Sequence, residues 1–211
     1  TGPLILLEAK RLNGMKDLLF ASSSSVYGNN KKVPFSENDP VDNPISPYAA
    51  TKKAGELLCY TYHHLYDFNI FCLRFFTVYG PGQRPEMAIQ QFGRKMTEGT
   101  PITLFWDRST RRDYTFVGDI VAGIMASARH LKGYEIFNLG NSDTISLIDL
   151  VRGIEETLGK KAMIEWKPMQ PGDVEITYAD ISKAKERLGY KPDYPVLKGL
   201  KRMFDVQSGK A

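Results

Sequence analysis

A tyrosine and a lysine four residues apart, Tyr48 and Lys52, stand in the stretch Ser46-Pro47-Tyr48-Ala49-Ala50-Thr51-Lys52. If Ser46 caps a helix and Pro47 takes its first turn, the two side chains share one face, about 5–6 Å apart at Cβ. An ammonium at that distance favours phenolate over phenol, which makes Tyr48 a candidate general base. The same spacing is common on ordinary amphipathic helices, so the neighbourhood has to decide. Asp17-Leu18-Leu19-Phe20-Ala21 is a short apolar run of the kind that forms a buried parallel strand, and it leads directly into Ser22-Ser23-Ser24-Ser25, with Tyr27 just beyond. Active sites of open α/β sheets lie at the carboxyl ends of strands, so these hydroxyls would face the crevice into which Tyr48 could point.

The elements that must position these groups alternate as expected for a parallel sheet with crossover helices. The pattern predicts a helix over 4–13, a strand over 17–22, and a loop rich in Asn, Pro and Asp as far as Ser46. A long helix over 47–66 follows, with an apolar face of Leu57, Leu58, Thr61 and Leu65, then a strand over 69–76 continuous enough to be buried on both faces. Beyond the loop Gly80-Pro81-Gly82-Gln83-Arg84-Pro85, the pattern predicts helix 86–98, strand 102–105, a short strand 114–117, helix 118–131 and strand 135–139. Ser146-Leu147-Ile148-Asp149 reads as a capping box opening helix 147–158, and Asp180 can cap a helix over 181–188 that stops at Gly189.

At 211 residues the chain can bury a sizeable core, as one large domain or one and a half. No apolar stretch approaches the roughly 20 residues that cross a bilayer, which argues against a membrane protein. The net charge of +4 is spread without a dense basic run or an aromatic-interleaved patch, which argues against a nucleic-acid partner. Two cysteines, Cys59 and Cys72, lack metal-ligand spacing and read as reduced structural thiols of a cytoplasmic protein. His63, His64 and His130 read as surface or packing residues, so no metal is expected.

Three stretches carry a resemblance: Phe20-Ala21-Ser22-Ser23-Ser24-Ser25-Val26-Tyr27-Gly28, the Ser46 to Lys52 segment, and Leu73-Arg74-Phe75-Phe76-Thr77-Val78-Tyr79-Gly80-Pro81. They closely resemble the extended short-chain dehydrogenase/reductase family, and within it the nucleotide-sugar epimerases acting on UDP-glucuronate. The resemblance spans nearly the whole chain with its motifs in family order. It implies NAD as cofactor and an α/β fold: a partial Rossmann-type parallel sheet with a smaller C-terminal α+β substrate-binding region. Residues 1–79 and 109–140 would form the former, residues 80–108 and 141–211 the latter. Family members open with a strand, a glycine-rich turn and a helix that hold the cofactor pyrophosphate. No G-x-G-x-x-G or G-x-x-G-x-x-G occurs here, and the chain opens on what resembles the helix before the serine strand. The expectation is therefore a chain lacking roughly the first third of the fold.

The resemblance also implies roles. Tyr48 would take the proton from a sugar hydroxyl as hydride leaves the same carbon. Lys52 would support Tyr48 and bind the nicotinamide ribose, and Ser23, four residues before Tyr27, would hydrogen-bond the reacting oxygen. Ser22 and Phe75 would line the cofactor side. Ser24 and Ser25 occupy places where dehydrating relatives typically carry Asp-Glu, and no carboxylate stands where decarboxylating relatives typically carry Glu, two residues before the tyrosine, which favours epimerisation through a 4-keto sugar. Thr77 stands where galactose-type epimerases usually have Asn. Arg84 is a candidate contact for the substrate carboxylate or phosphates, Arg112 for the pyrophosphate, and Asp173 for the uridine ribose; Gln170 departs from the Arg of galactose-type relatives. Two other readings remain open here: a non-catalytic remnant that binds UDP-sugar but not NAD, and an epimerase for another UDP-hexose. Loss of the first strands would expose a sheet edge, so homodimerisation or other self-association is expected.

Overall fold

The computed structural model describes residues 2–105, 110–167 and 176–209. Its centre is a parallel sheet in the order β1 (Asp17–Ser23), β2 (Asn69–Phe75), β7 (Tyr134–Leu139), with Ser23 opposite Phe75 and Phe75 opposite Leu139. All three strands therefore deliver their carboxyl ends to one rim, the position from which open α/β sheets present ligand sites. Along β2 the side chains alternate between two faces. Ile70 and Cys72 pack with Leu7, Cys59, Tyr62 and Phe68, beneath helices α1 (Gly2–Leu12) and α2 (Pro47–Tyr66). Phe71 and Leu73 pack on the other side with Phe137, Ile120 of α4 (Val117–Arg129), and Ala184 and Leu188 of α6 (Ser182–Leu188).

After Phe76 the chain changes sheets. The Phe76 amide still donates to Leu139 O (3.1 Å), but that of Thr77 donates to Asp113 O (3.2 Å), and β3 (Thr77–Tyr79) pairs in parallel with β6 (Tyr114–Phe116). A second core forms there from Tyr79, Phe92, Met96, Tyr114, Phe116, Leu150 and Leu200. It is walled by α3 (Ala88–Glu98), α5 (Leu147–Leu158) and α7 (Val196–Gln207), beside the parallel pair β4 (Ile102–Phe105) and β9 (Ile164–Lys167). A further antiparallel pair joins β5 (Arg111–Arg112) to β8 (Ile145–Ser146). Residues 179–190 pack with the first core although they follow the second in sequence.

Several expectations need adjustment. The buried face of α2 is Ala49, Gly55, Glu56, Cys59 and Tyr62, whereas Leu57, Thr61 and Leu65 are exposed and Leu58 is half-buried. Counting leucines failed because the sheet-facing side is chosen by other contacts: a glycine that admits the Phe20 ring and a carboxylate that meets a buried arginine. Helix 86–98 begins instead at Ala88, after the turn that hydrogen-bonds Met87 N to Arg84 O (3.1 Å). Ser146 does cap α5, accepting from Asp149 N (3.1 Å), but its hydroxyl also donates to the Asp149 carboxylate (2.6 Å) in place of the reciprocal backbone bond. Asp180 accepts from Ser182 N (3.0 Å), but α6 starts at Ser182 with Ile181, not Asp180, at the cap position. Among the described residues no helix is long and apolar enough to cross a membrane.

Candidate active site

Ser46 caps α2, its hydroxyl accepting from Ala49 N at 3.1 Å, and Pro47 takes the first helical position. This start sets Tyr48 and Lys52 on one face. The Lys52 Nζ lies 5.5 Å from the centre of the Tyr48 ring and donates to Ala21 O of β1 at 2.8 Å. One ammonium thus ties the helix to the strand end while standing beside the phenol. Tyr48 itself is 54% exposed, so its ring is open to a ligand.

The serines separate by role. Ser23 ends β1 and caps the 3-10 turn Ser24–Tyr27: its hydroxyl accepts from Ser25 N (3.2 Å) and donates to Ser25 Oγ (3.1 Å). Ser22 is buried and its hydroxyl donates to Glu56 Oε1 at 2.6 Å, so it faces the interior. A cleft of about 650 Å³ is lined by Ser22 to Ser25, Tyr48, Lys52, Phe75, Thr77, Arg84 and, unforeseen from the sequence, Gln83 and Met87. That volume lies within the range of small-molecule sites. Gln83 anchors its loop by donating from Nε2 to Val78 O (2.9 Å). Arg84 is 75% exposed; it donates from Nη2 to Met87 Sδ at 3.7 Å and pairs with the exposed Glu86 at 3.4 Å. Such a pair is weak in water and is readily exchanged for another carboxylate.

Arg112 does not line this cleft. It lines a second one, of about 270 Å³, whose walls include Phe92, Tyr114, Ile145 and Leu147 with Glu86, Gln91 and Thr110. The segment from Gln83 to Ala88 supplies residues to both clefts, so they flank a common stretch of chain. Next to Arg112, the Asp113 carboxylate is buried and accepts from the amides of Asn141 (2.7 Å), Ser142 (3.0 Å) and Ala179 (3.1 Å) and from the Thr115 hydroxyl (3.1 Å). Burial outweighs those donors and pushes the Asp113 carboxyl up to about 6. Asp173 and Gln170 lie outside the described residues.

The structure therefore brings together Tyr48, Lys52, Ser23 to Ser25, Phe75, Thr77 and Arg84, and sets Arg112 apart. Residues 1–140 match the NAD dependent epimerase/dehydratase family. The chain belongs to this family. Among relatives of the epimerase/dehydratase family, UDP-glucuronate 4-epimerase of Thermodesulfobacterium geofontis is 47% identical over 203 residues, covering 96% of this chain and 62% of that protein. UDP-glucuronate 4-epimerase 1 of Arabidopsis thaliana is 44% identical, covering 95% of this chain and 51% of the relative. The crystal structure of UDP-glucuronic acid 4-epimerase from Bacillus cereus, in complex with UDP-glucuronic acid and NAD, superposes with a TM-score of 0.89 at 35% identity, over 99% of this chain and 67% of that one. The chain thus spans about half to two thirds of the length of the family members it matches.

Proposed function

We propose that this chain carries the proton-transfer and substrate-binding face of an NAD-dependent UDP-glucuronate 4-epimerase. The observation that carries the reading is a single cleft in which Tyr48, supported by Lys52, meets the Ser23 to Ser25 turn on one side and Thr77 and Arg84 on the other. A phenol beside an ammonium, an open cleft and a strand-end hydroxyl turn are a donor set that suits a nicotinamide ribose against a sugar. Tyr48, Lys52 and Phe75 would hold that end of NAD, which when bound supplies the hydride acceptor and donor, whereas Ser22, expected on the cofactor side, gives its hydroxyl to the buried Glu56. The chain's own residues move the proton. Tyr48 takes it from the hydroxyl on carbon 4 of the sugar as that carbon gives up its hydride, so that a ketone is left there, and returns it to the same oxygen once the ring has presented its other face and the carbon has regained hydride. Ser23 hydrogen-bonds that oxygen throughout, and Lys52 holds its ammonium beside the Tyr48 ring, 5.5 Å from its centre. The absence of a carboxylate at Ser24 and Ser25 supports epimerisation over dehydration.

Substrate selection follows from the two clefts. Thr77, Ser24, Ser25 and Arg84 would receive the sugar, with Arg84 giving up the exposed Glu86 for the uronate carboxylate, where a guanidinium offers paired donors. The smaller cleft, walled by Phe92, Ile145 and Leu147, would take the uridine, with Arg112 on the phosphates; the ribose role of Asp173, outside the described residues, rests on the sequence resemblance alone. The division into residues 1–79 with 109–140 and 80–108 with 141–211 belongs to this proposal, as do a cytoplasmic location and self-association.

A second reading has its own support: no glycine-rich phosphate turn occurs in these residues, so UDP-sugar binding without NAD binding would mark a substrate-side unit that does not catalyse alone. Calorimetric titration with NAD, with and without UDP-glucuronate, separates the two. Binding of both supports the epimerase, UDP-glucuronate alone supports the second reading, and neither overturns both.

A further inference from the structure

An arginine one residue from the carboxyl end of strand β2 and a glutamate on the sheet-facing side of α2 are both 1% exposed, and they find each other. Arg74 donates from Nε to Glu56 Oε1 (2.9 Å) and from Nη2 to Glu56 Oε2 (2.8 Å), a two-pronged pair. Its third arm, Nη1, donates to the Tyr27 hydroxyl (3.0 Å), which donates in turn to Asn138 Oδ1 (2.7 Å). Asn138 then donates to Phe35 O (2.8 Å) and Asp180 O (3.1 Å). On the opposite side, Glu56 Oε1 also receives the Ser22 hydroxyl at 2.6 Å.

The placement of these contacts points to a task beyond holding the fold. Ser22 immediately precedes Ser23, and Tyr27 closes the 3-10 turn that Ser23 caps, so the network grips the serine turn at both ends. Glu56 lies four residues beyond Lys52 and eight beyond Tyr48, on the same side of α2. Stability alone does not call for such a pair, because apolar side chains of similar volume serve as well or better in a buried site. A satisfied polar network does something apolar packing does not: it admits one arrangement of its members.

We infer that Glu56 and Arg74 are positioning residues, a buried carboxylate–guanidinium clamp that locks the Ser23 to Ser25 turn against the helix carrying Tyr48 and Lys52. The functional half of this inference rests on the roles proposed above for Ser23 and Tyr48. The clamp aims the Ser23 hydroxyl at the sugar oxygen that Tyr48 serves, and neither Glu56 nor Arg74 touches substrate.

The test removes the clamp without leaving a lone buried charge. Glu56→Leu combined with Arg74→Met replaces both partners by apolar groups, and Arg74→Lys keeps the charge balance while losing the fork that reaches Glu56 and Tyr27 together. Each variant is measured for its unfolding midpoint, for amide exchange at Ser25 and Gly28, and for UDP-glucuronate affinity by calorimetry, alone and in a Ser23→Ala background. The double variant is expected to unfold at or above the wild-type midpoint. In both variants exchange at Ser25 and Gly28 is expected to accelerate about tenfold while Ile70 and Phe71 in β2 stay protected. UDP-glucuronate affinity is expected to fall about tenfold, and this fall to vanish once Ser23 is alanine, because the clamp acts through that hydroxyl. Unchanged exchange at Ser25 and Gly28, or an affinity loss that adds to that of Ser23→Ala, overturns the inference. Arg74→Lys carries the test by itself if the double variant does not fold. If the unaltered chain binds no UDP-glucuronate, the proposed function falls, and the exchange at Ser25 and Gly28 still decides whether the clamp holds the turn.

Discussion

Replacing Gly199 by alanine puts the packing of the second core to a quantitative test. Gly199 lies in α7, where a helix interior ordinarily rewards glycine-to-alanine exchange by about 1 kcal/mol. Here a methyl group would sit 1.9 Å from the Tyr79 hydroxyl oxygen, 2.7 Å from its Cζ and 3.1 Å from a Phe116 ring carbon. Tyr79 is 1% exposed and has nowhere to go, and its hydroxyl donates to Val196 O at 3.1 Å. Overpacking costs about 1–3 kcal/mol and an orphaned buried hydrogen-bonding group about 1–3 kcal/mol more, so the clash outweighs the propensity gain. The expected net destabilisation is roughly 3 kcal/mol, a fall of about 6–12 °C in unfolding midpoint for a chain of this size. Because Tyr79 ends the strand that begins at Thr77, a shift there also reaches the wall of the larger cleft. Tyr79→Phe supplies the control: alone it costs about 1 kcal/mol, but in the Gly199→Ala background it removes the nearest clashing atom and raises the midpoint. Thermal unfolding of the four proteins followed by circular dichroism reads all of this. A Gly199→Ala midpoint at or above that of the parent, or a Tyr79→Phe effect of the same sign in both backgrounds, would refute the reasoning.

Arg84→Ala is expected to leave the unfolding midpoint within about 1 °C, since an exposed pair at 3.4 Å contributes little, yet to weaken UDP-glucuronate binding more than UDP-glucose binding; equal losses on calorimetry count against a carboxylate contact. Ser146→Ala removes the α5 cap and is expected to cost about 1 kcal/mol, read as a midpoint roughly 2–4 °C lower. The Glu8 carboxyl is held down to about 2 by the hydrogen bonds it accepts from Arg11 and Tyr62, against an ordinary value of 4.5. Its contribution to docking α1 on α2 is therefore fully present above the ordinary value and is lost as pH falls from there toward 2. Amide protection in α1, taken relative to intrinsic exchange at each pH, should fall between pH 5 and pH 2 in the parent more than in Glu8→Gln, and an equal fall in both would remove Glu8 as the cause.

How much of this site could be read in advance follows from what each residue depends on. Tyr48, Lys52 and the serine run were readable because their spacing is local: a cap, a helical turn and a strand end suffice to place them. The parallel sheet was readable too, because a strand buried on both faces leaves a continuous apolar run such as Ile70 to Leu73. What failed was anything set by partners distant in sequence. The sheet-facing side of α2 follows Glu56 and Cys59 rather than Leu57 and Leu65, since the carboxylate's partner, Arg74, lies on strand β2. A signal existed: Arg74 inside an apolar run requires a buried acid, and Glu56 is the acid that continues the Tyr48 and Lys52 spacing. The short strands β3, β5, β8 and β9, of two to four residues, carry too few side chains to show a period, so they emerge only from pairing. Arg112 shows the same limit, because its placement in the smaller cleft depends on β5 pairing with β8.

The central claim is that Tyr48 moves the proton of a UDP-glucuronate 4-epimerase. The direct measurement is proton NMR of UDP-glucuronate incubated with this chain and NAD, set beside the Tyr48→Phe variant. The account predicts that the parent equilibrates the sugar with its carbon-4 epimer, and that Tyr48→Phe binds UDP-glucuronate as well while turning it over at least about a hundredfold more slowly. Equal turnover by Tyr48→Phe, or a parent chain that binds both NAD and UDP-glucuronate and leaves the sugar unchanged, would contradict it.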